Sequence, residues 1–317
     1  MNFFIHIGTH KTGSTSLQYF FLQNRLHLIK QGFFYPEIGI KNAGHHKIAW
    51  IARNGNESNR LKKMMARIKN EAEQADCENV ILSSEEFEFV HHLEPLKLAL
   101  AGHHCKIIVF IRRQDTLLES EYNQHVKMPA LKYADNIFKF CFDHDFSQRF
   151  NYNYLCNSWC QAFGQENVHP ISFDDCSKQP QGLFKSIFDL IKIPADEGFD
   201  FRHSLQHNTS LPNKATIYLA RLNRLPLIAA QHHEAIRLLN DWFPKKFDRP
   251  LLSLNDRKTI WKRCRTTNDA LERMFSAKYF NEPSDTEHHG ESIDFYNEFD
   301  ATVYASLLFR LTIPKEN

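Results

Sequence analysis

At 317 residues, with 42% hydrophobic and 24% charged side chains, the chain is long enough to bury a full core in one large domain and too ordinary in composition to be disordered or fibrous. A formal net charge of +2 makes no case for a nucleic-acid surface, so no nucleic-acid partner is expected and any anion must be held by locally placed charge. Seven cysteines, odd in number and without disulfide or zinc spacing, predict reduced and mostly buried thiols in a reducing compartment.

Phe3–Ile7 is a short apolar run that ends at a glycine, the pattern of a buried strand. It is too short and wrongly flanked for a signal peptide, and no apolar run approaches the roughly 20 residues that span a bilayer. A soluble, cytoplasmic protein without a transmembrane segment is therefore expected. Polar residues follow, then an amphipathic stretch from Ser14 to about Gln31, so the order is strand, loop, helix. Further helical patterns cover 57–74, 114–127, 149–163, 180–192, 213–223, 229–241 and 255–276. Val80–Leu82 and Val168–Phe173 read as strands, and the continuous apolar run Lys106–Ile111 reads as a parallel strand covered on both faces. Polar Pro283–Gly290 is a loop candidate. Five His-His doublets (45/46, 91/92, 103/104, 232/233, 288/289) diverge on any regular element, which makes them poor chelates; most are expected at the surface. Strands alternating with helices predict an α/β protein: three layers, α/β/α, around a central parallel sheet of P-loop type, with a helical C-terminal part. One domain is expected over 1–317, its core at about 1–225 and a helical extension at about 226–317.

The segment Gly8-Thr9-His10-Lys11-Thr12-Gly13-Ser14-Thr15-Ser16 lies at the strand-to-helix junction, where free backbone N–H groups and the helix dipole converge on an anion. Gly8 and Gly13 let the backbone curl round a phosphate, and the hydroxyls of Thr12, Ser14, Thr15 and Ser16 add donors. Capping a helix needs one such residue, not this many. The spacing Gly8-x4-Gly13 equals that of a Walker A loop, yet Ser14 stands where that loop has its lysine. The lysine here is Lys11, inside the loop, where its charge can meet the bridging oxygen of a leaving phosphate.

The core Lys11-Thr12-Gly13-Ser14-Thr15 resembles the 5'-phosphosulfate-binding loop of the sulfotransferase family, K-[ST]-G-[ST]-[ST], with features of its bacterial members. The resemblance implies 3'-phosphoadenosine-5'-phosphosulfate (PAPS) as donor and adenosine 3',5'-bisphosphate as product. It also implies a strand-end arginine and a serine eight residues later that hold the donor's 3'-phosphate, and Arg112 and Ser120 have that spacing after the run Lys106–Ile111. A guanidinium supplies forked donors to a phosphate. Standing alone, Arg112 reads as a salt-bridge partner of Asp115 or Glu119, and Arg113 competes for its place. Val168–Asp175 resembles the family strand that ends in an acidic turn, and Asn208-Thr209-Ser210 resembles a bacterial Asn-x-Ser segment. The R-K-G segment of vertebrate members is absent, which leaves the adenine contacts unassigned.

Sulfuryl transfer needs a base opposite Lys11. Ser83-Ser84-Glu85-Glu86, at the ligand-binding end of a core strand, resembles a bacterial Ser-Ser-Glu and makes Glu85 the nominated base, with Glu86 behind it. A glutamate there serves equally as a dipole partner of a helix start. His46, in the loop Asn42–Lys47, has a place that suits a base or an acceptor contact, and suits a solvent-exposed histidine as well. The implied acceptor is a hydroxyl of a carbohydrate or other small or cell-surface precursor. No metal is required, because lysine and loop amides supply the positive charge. The alternatives are a P-loop small-molecule kinase, against which Ser14 speaks, and a non-catalytic nucleotide-binding protein.

Overall fold

The computed structural model describes residues 1–143, 149–194, 198–202, 210–245, 249–284, 292–294 and 299–312. Among them five strands, β1 (Asn2–His6), β2 (Phe33–Phe34), β3 (Asn79–Ser83), β4 (His104–Ile111) and β5 (Val168–Ser172), pair in parallel in the order β2-β3-β1-β4-β5. In chain order the helices are α1 (Ser14–Gln23), α2 (Arg25–Lys30), α3 (His46–Asn54), α4 (Ser58–Gln74), α5 (Glu94–Ala99), α6 (Gln114–Lys127) and α7 (Ile137–Asp143). They continue with α8 (Tyr152–Phe163), α9 (Phe173–Cys176), α10 (Gly182–Ile191), α11 (Asn213–Leu222), α12 (Ala229–Trp242), α13 (Leu254–Phe275) and α14 (Ala301–Thr312). Among the described residues no helix is long and apolar enough to cross a membrane. Asn208, Thr209 and residues 285–290 of the expected loop lie outside the described residues.

By its internal contacts the chain divides into two compact units. One comprises Met1–Arg112, Ser147–Asn208 and Thr267–Phe280; the other comprises Arg113–Phe146, Thr209–Thr266 and Asn281–Asn317.

The first unit holds the sheet. Strand parity sorts its side chains: Phe4, Ile81, Ile108 and Phe110 face one way and pack with Leu17, Phe20 and Phe21 of α1 and Phe184, Ile187 and Phe188 of α10. Phe3, Ile5, Val80, Leu82, Ile107 and Val109 face the other way and are equally buried, with α8 packed on β4 and β5 and α5 beside α8. A sheet covered on both faces is why Ile107–Ile111 is apolar without alternation. Phe20 lies among five phenylalanine rings at centroid distances of 4.9–5.7 Å. Truncating such a ring costs about 3–5 kcal/mol, so this cluster anchors the helix that begins at the glycine-rich loop.

The stretch expected as one helix from Ser14 breaks at Asn24. The Asn24 amide donates to Phe20 O and to Asp200 O, both at 2.9 Å, and accepts from Asp200 N at 2.8 Å, which exchanges helix continuity for a tie to a distant segment. The connection leaving β1 runs to the β2–β3 side of the sheet and the chain leaving β4 runs to β5, so the strand order reverses between β1 and β4. A crevice at the carboxyl ends of such a pair is the standard ligand position of an open parallel sheet.

The second unit is helical. Its buried centre is ionic: Asp115 receives Arg113 Nε at 2.7 Å and Arg257 Nη1 at 3.0 Å, and Arg257 also pairs with Glu119. Burial alone would raise the Asp115 carboxyl, but the two guanidiniums outweigh it and hold the group below its usual range. Asn123 donates to Leu211 O at 2.8 Å and to Thr216 Oγ1 at 2.7 Å, joining α6 to α11.

Two histidines of the first unit, His6 and His45, are fully enclosed, and His45 is a doublet member that departs from the surface position expected of most doublets. His45 N–H donates to Ser83 O at 2.7 Å, Ser83 N–H donates to His45 Nδ1 at 3.1 Å, and His45 Nε2–H donates to Pro36 O at 2.9 Å. An acceptor Nδ1 and a donor Nε2 require the neutral ring. His6 Nδ1 lies 2.8 Å from Ser83 Oγ, with its ring edge-on to Phe110. Burial, outweighing smaller opposing effects, pushes both rings down to about 4. An unfolded histidine takes its proton near pH 6.5. Each ring therefore contributes stability that is present above about 6.5 and is lost as pH falls toward about 4, at about 1.4 kcal/mol per pH unit. Urea midpoints measured from pH 7 down to pH 5 should fall. His45→Asn, which keeps an acceptor at the Nδ1 position but cannot titrate there, should flatten the slope. Stability unchanged across that window would contradict the assignment.

Candidate active site

The loop after β1 continues the sheet pairing before it curls. Ile7 N–H donates to Ile108 O at 2.9 Å, Phe110 N–H to Gly8 O at 2.7 Å and Thr9 N–H to Phe110 O at 3.0 Å. Thr12 Oγ1 and Ser14 Oγ both donate to Thr9 O, at 2.6 and 3.1 Å, and Thr9 Oγ1 donates to Phe110 O at 3.1 Å. These hydroxyls hold the curl from inside, since one hydroxyl has one proton to give. Lys11 takes a left-handed φ of 62° and Gly13 a φ of 79°. Gly13 is the N-cap of α1 and provides no side-chain cap, and the start of a helix is a favourable place for an anion. Thr15 and Ser16 stand half-buried on that turn.

Gly8 has a φ of 98°, and a Cβ there would lie 2.9 Å from Glu85 Cα and 3.0 Å from Glu85 Cβ. Only a residue without a side chain lets the two segments approach this closely. Gln18 of α1, 2% exposed, donates its Nε2–H to Glu85 Oε2 at 2.6 Å. A Cβ at Gly44 would fall 2.7–2.9 Å from the Gln18 amide, so Gly44 makes the room that this amide occupies. Burial would raise the Glu85 carboxyl. The Gln18 hydrogen bond, its own backbone N–H and the nearby His46 and His10 outweigh burial and hold it below its usual range. Glu85 is thus a carboxylate at neutral pH.

His46 begins α3, half-buried, with Nδ1 2.8 Å from Ser84 Oγ and its ring stacked on Trp50 at 6.1 Å. Ser84 Oγ also accepts Glu86 N–H at 3.2 Å and so caps the turn that carries the acidic residues. Glu88, three residues past Glu85, grips the loop itself: His10 N–H donates to Glu88 Oε2 at 2.9 Å, and His10 Nδ1 lies 2.9 Å from Glu88 Oε1. His10 Nε2 is 3.8 Å from Glu86 Oε1. Burial works against charge on His10, but Glu88, Glu85 and Glu86 together raise its affinity for a proton above the usual histidine value.

Arg112, just past β4, donates from Nη1 to Lys11 O at 3.0 Å. Its Nε is 3.9 Å from Asp174 Oδ1 and its guanidinium lies 5.3 Å from the Phe173 ring centre, in the acidic turn expected after β5. Tyr152 braces the residue by donating its hydroxyl to Arg112 O at 2.8 Å. Asp115 and Glu119, the salt-bridge partners that sequence offered Arg112, are taken by Arg113 and Arg257 in the second unit. Ser120 stands half-buried on α6, within the second unit.

The structure therefore brings together Gly8, Lys11, Thr12, Gly13, Ser14, Glu85 and Arg112, with His46 beside Ser84. Gln18, Gly44, His10 and Glu88 are participants that sequence reasoning did not name. His10 had a visible signal, a histidine next to the loop lysine, whereas Gln18 and Gly44 had none. Among the described residues no group of three or more His, Cys, Asp or Glu side chains is arranged to hold a metal ion.

A family description, the sulfotransferase domain, matches residues 3–235. An uncharacterized protein of Archaeoglobus fulgidus is 26% identical over 227 residues, which cover 70% of this chain and 59% of that protein; the chain thus spans less than two thirds of its relative's length. The crystal structure of a sulfotransferase from Alicyclobacillus acidocaldarius aligns with 14% identity over 74% of this chain and 98% of its own, with a TM-score of 0.40. The sulfotransferase domain of the Synechococcus PCC 7002 olefin synthase aligns with 16% identity over 79% of this chain and 96% of its own, also at 0.40. On the match across residues 3–235, the chain belongs to the sulfotransferase family.

Proposed function

We propose that this enzyme transfers the sulfuryl group of PAPS to a hydroxyl of a carbohydrate or other small or cell-surface precursor, releasing adenosine 3',5'-bisphosphate. The observation that carries the reading is the contact between Gly8 and Glu85, which sets an anion-binding loop against an ionised carboxylate at the carboxyl end of a parallel sheet. The two glycines and the uncapped first turn of α1 fit a 5'-phosphosulfate. Arg112 is the nominated 3'-phosphate ligand, with Ser120 its partner by sequence spacing. Seven free thiols support a cytoplasmic site of action.

When bound, the donor supplies a sulfuryl group whose bond to a phosphate oxygen is ready to break. The acceptor oxygen forms its bond to sulfur as the bond from sulfur to the 5'-phosphate oxygen breaks. The acceptor proton passes to Glu85, and the electron pair of the broken bond stays on the phosphate. Lys11 and the first-turn amides of α1 meet the charge that develops there. Gln18 keeps the Glu85 carboxylate aimed, at some cost to its basicity, because a hydrogen bond to the charged form favours that form.

Adenosine 3',5'-bisphosphate at 100 times its dissociation constant should stabilise the fold by about 2.7 kcal/mol in a thermal shift, and AMP at the same concentration much less. Arg112→Ala should weaken bisphosphate binding by about 1.5–3 kcal/mol, the worth of a hydrogen bond to a charged group. Equal shifts from ATP and the bisphosphate would favour a kinase.

Lys11→Ala should act mainly on turnover, with bisphosphate affinity little changed, because the lysine's charge matters most as the leaving oxygen becomes negative. Turnover close to the unmodified enzyme's would remove Lys11 from the mechanism.

Glu85→Gln should cost roughly 10²–10⁴ in rate while leaving bisphosphate binding intact. Gln18→Leu should raise the Glu85 pKa and move the acid limb of the pH–rate profile to higher pH. His46→Ala is the companion measurement: if it abolishes turnover while Glu85→Gln is nearly silent, the histidine is the base.

A further inference from the structure

His10 precedes the loop lysine, and its backbone N–H and both ring nitrogens meet acids. The N–H donates to Glu88 Oε2 at 2.9 Å, Nδ1 lies 2.9 Å from Glu88 Oε1, and Nε2 lies 3.8 Å from Glu86 Oε1. The Glu88 side chain is 8% exposed and Nδ1 is shut off from solvent, so the pairing is weakly screened. A neutral imidazole carries a lone pair on one nitrogen, and here either tautomer would turn that lone pair on a carboxylate. Only the imidazolium answers both acids with a proton.

The contact also holds backbone. Glu88 grips the N–H of His10, and Arg112 Nη1 grips the carbonyl of Lys11 at 3.0 Å, so an acid and a base tie the two ends of one dipeptide. Between these ties Lys11 has a left-handed φ of 62°, a backbone state unfavourable for a residue with a Cβ. Losing a tie lets that turn relax.

The charged groups around His10 pull in both directions. Glu85, Glu86 and Glu88, on the turn after β3, favour its proton. Lys11 follows it in the chain, and Arg53 of α3 and Arg149 lie 5.5 and 5.8 Å from the centre of the Phe89 ring, which is 5.2 Å from the His10 ring. Burial opposes the proton most, yet the three acids outweigh it and raise His10 above the usual histidine value.

We propose that Glu88 and protonated His10 are a positioning pair, which holds the Lys11 turn in its donor-binding shape and makes donor affinity depend on the His10 proton. This rests on the sulfotransferase reading above and adds to it residues that act through the loop. The sign is definite: the grip is complete while His10 is protonated and is lost as pH rises through its titration. By linkage, a bound anion should hold that proton more tightly.

Calorimetry of adenosine 3',5'-bisphosphate binding to the full chain tests it between about pH 7 and pH 9, where the ligand's phosphates have lost their second protons. Affinity should weaken about tenfold over that range, with proton uptake on binding seen in buffers of different ionisation heat. His10→Asn keeps the backbone N–H on Glu88 but cannot titrate, so its affinity should be flat and its binding should take up no proton. Glu88→Gln keeps an acceptor for that N–H and removes the charge, so the fall should move to lower pH, toward the ordinary histidine value of about 6.5. A purely structural Glu88 would instead weaken binding equally at every pH. In the free chain, the His10 ring proton resonance, assigned by its loss in His10→Asn, should titrate above about 6.5 and shift down in Glu88→Gln. Bisphosphate binding with the same pH dependence in His10→Asn as in the unmodified chain overturns the proposal and leaves the sulfotransferase reading standing. A His10 that titrates at or below the ordinary value overturns it as well. His10 titrating high in a chain that binds no bisphosphate at any pH would sink the sulfotransferase reading and, with it, the donor-binding role of the pair.

Discussion

The absence of a side chain at Gly8 is the constraint on which the site depends. Strands β1 and β3 are neighbours, so their carboxyl ends must emerge side by side, but parallel pairing alone leaves a strand's width between the chains that leave them. Gly8 closes that gap to contact with the Glu85 backbone. One more methyl group would push the acidic turn away from the loop after β1, since a Cβ there would lie 2.9 Å from Glu85 Cα. Gly44 applies the same logic one layer out, since its missing Cβ makes room for the Gln18 amide and the amide aims the carboxylate. Two missing side chains, at Gly8 and Gly44, set the position of one carboxylate.

Charge is distributed by a related economy of placement. The negative charge that Glu85, Glu86 and Glu88 crowd beside the loop after β1 calls for compensation. His10 supplies that compensation from inside the loop, pairing with Glu88 and approaching Glu86, and its backbone N–H joins the same carboxylate. Arg112 approaches from the other side, bonded to the Lys11 carbonyl and near Asp174. The loop is thereby held between an acidic turn and a guanidinium. With a net charge of only +2 over the whole chain, any anion must be held by local placement of charge and not by a general basic surface.

Much of this was legible in sequence, for identifiable reasons. The buried run Lys106–Ile111 and the helices over 114–127, 213–222 and 254–275 showed because a core-facing periodicity repeats within one element. The glycine-hydroxyl loop showed because its signal is packed into nine consecutive residues. Phe33–Phe34 did not show as a strand, because two residues have no period and only pairing with Asn79 and Val80 makes them one. Helix α3 was hidden for a different reason. Its start, His45-His46, reads as polar loop until His45 is seen closing the exposed end of β3 with both its backbone and its ring. The four hydroxyls of the loop were read as outward donors, but Thr12 and Ser14 give their protons to Thr9 O. Sequence reports which groups are present, and the curl of the backbone decides which way a hydroxyl turns.

The same distinction separates the residues that were nominated from those that were missed. Lys11, Glu85 and Arg112 each follow a strand by one to five residues, so a strand assignment alone carries them to the carboxyl edge of the sheet. Gln18 and Glu88 reach the site by a side chain's length from the second turn of a helix and the end of a short turn, and their partners lie 67 and 78 residues away in sequence. Nothing local to either residue encodes that meeting. It follows from the strand order: β3 lies next to β1, so the acidic turn that leaves β3 must pass over the start of α1, and any polar side chain there finds a carboxylate within reach. Topology, more than motif, therefore determines which second residues tune the site. Chains that share the loop but differ at the positions of Gln18 and Gly44 should hold their carboxylates at different basicities on the same fold.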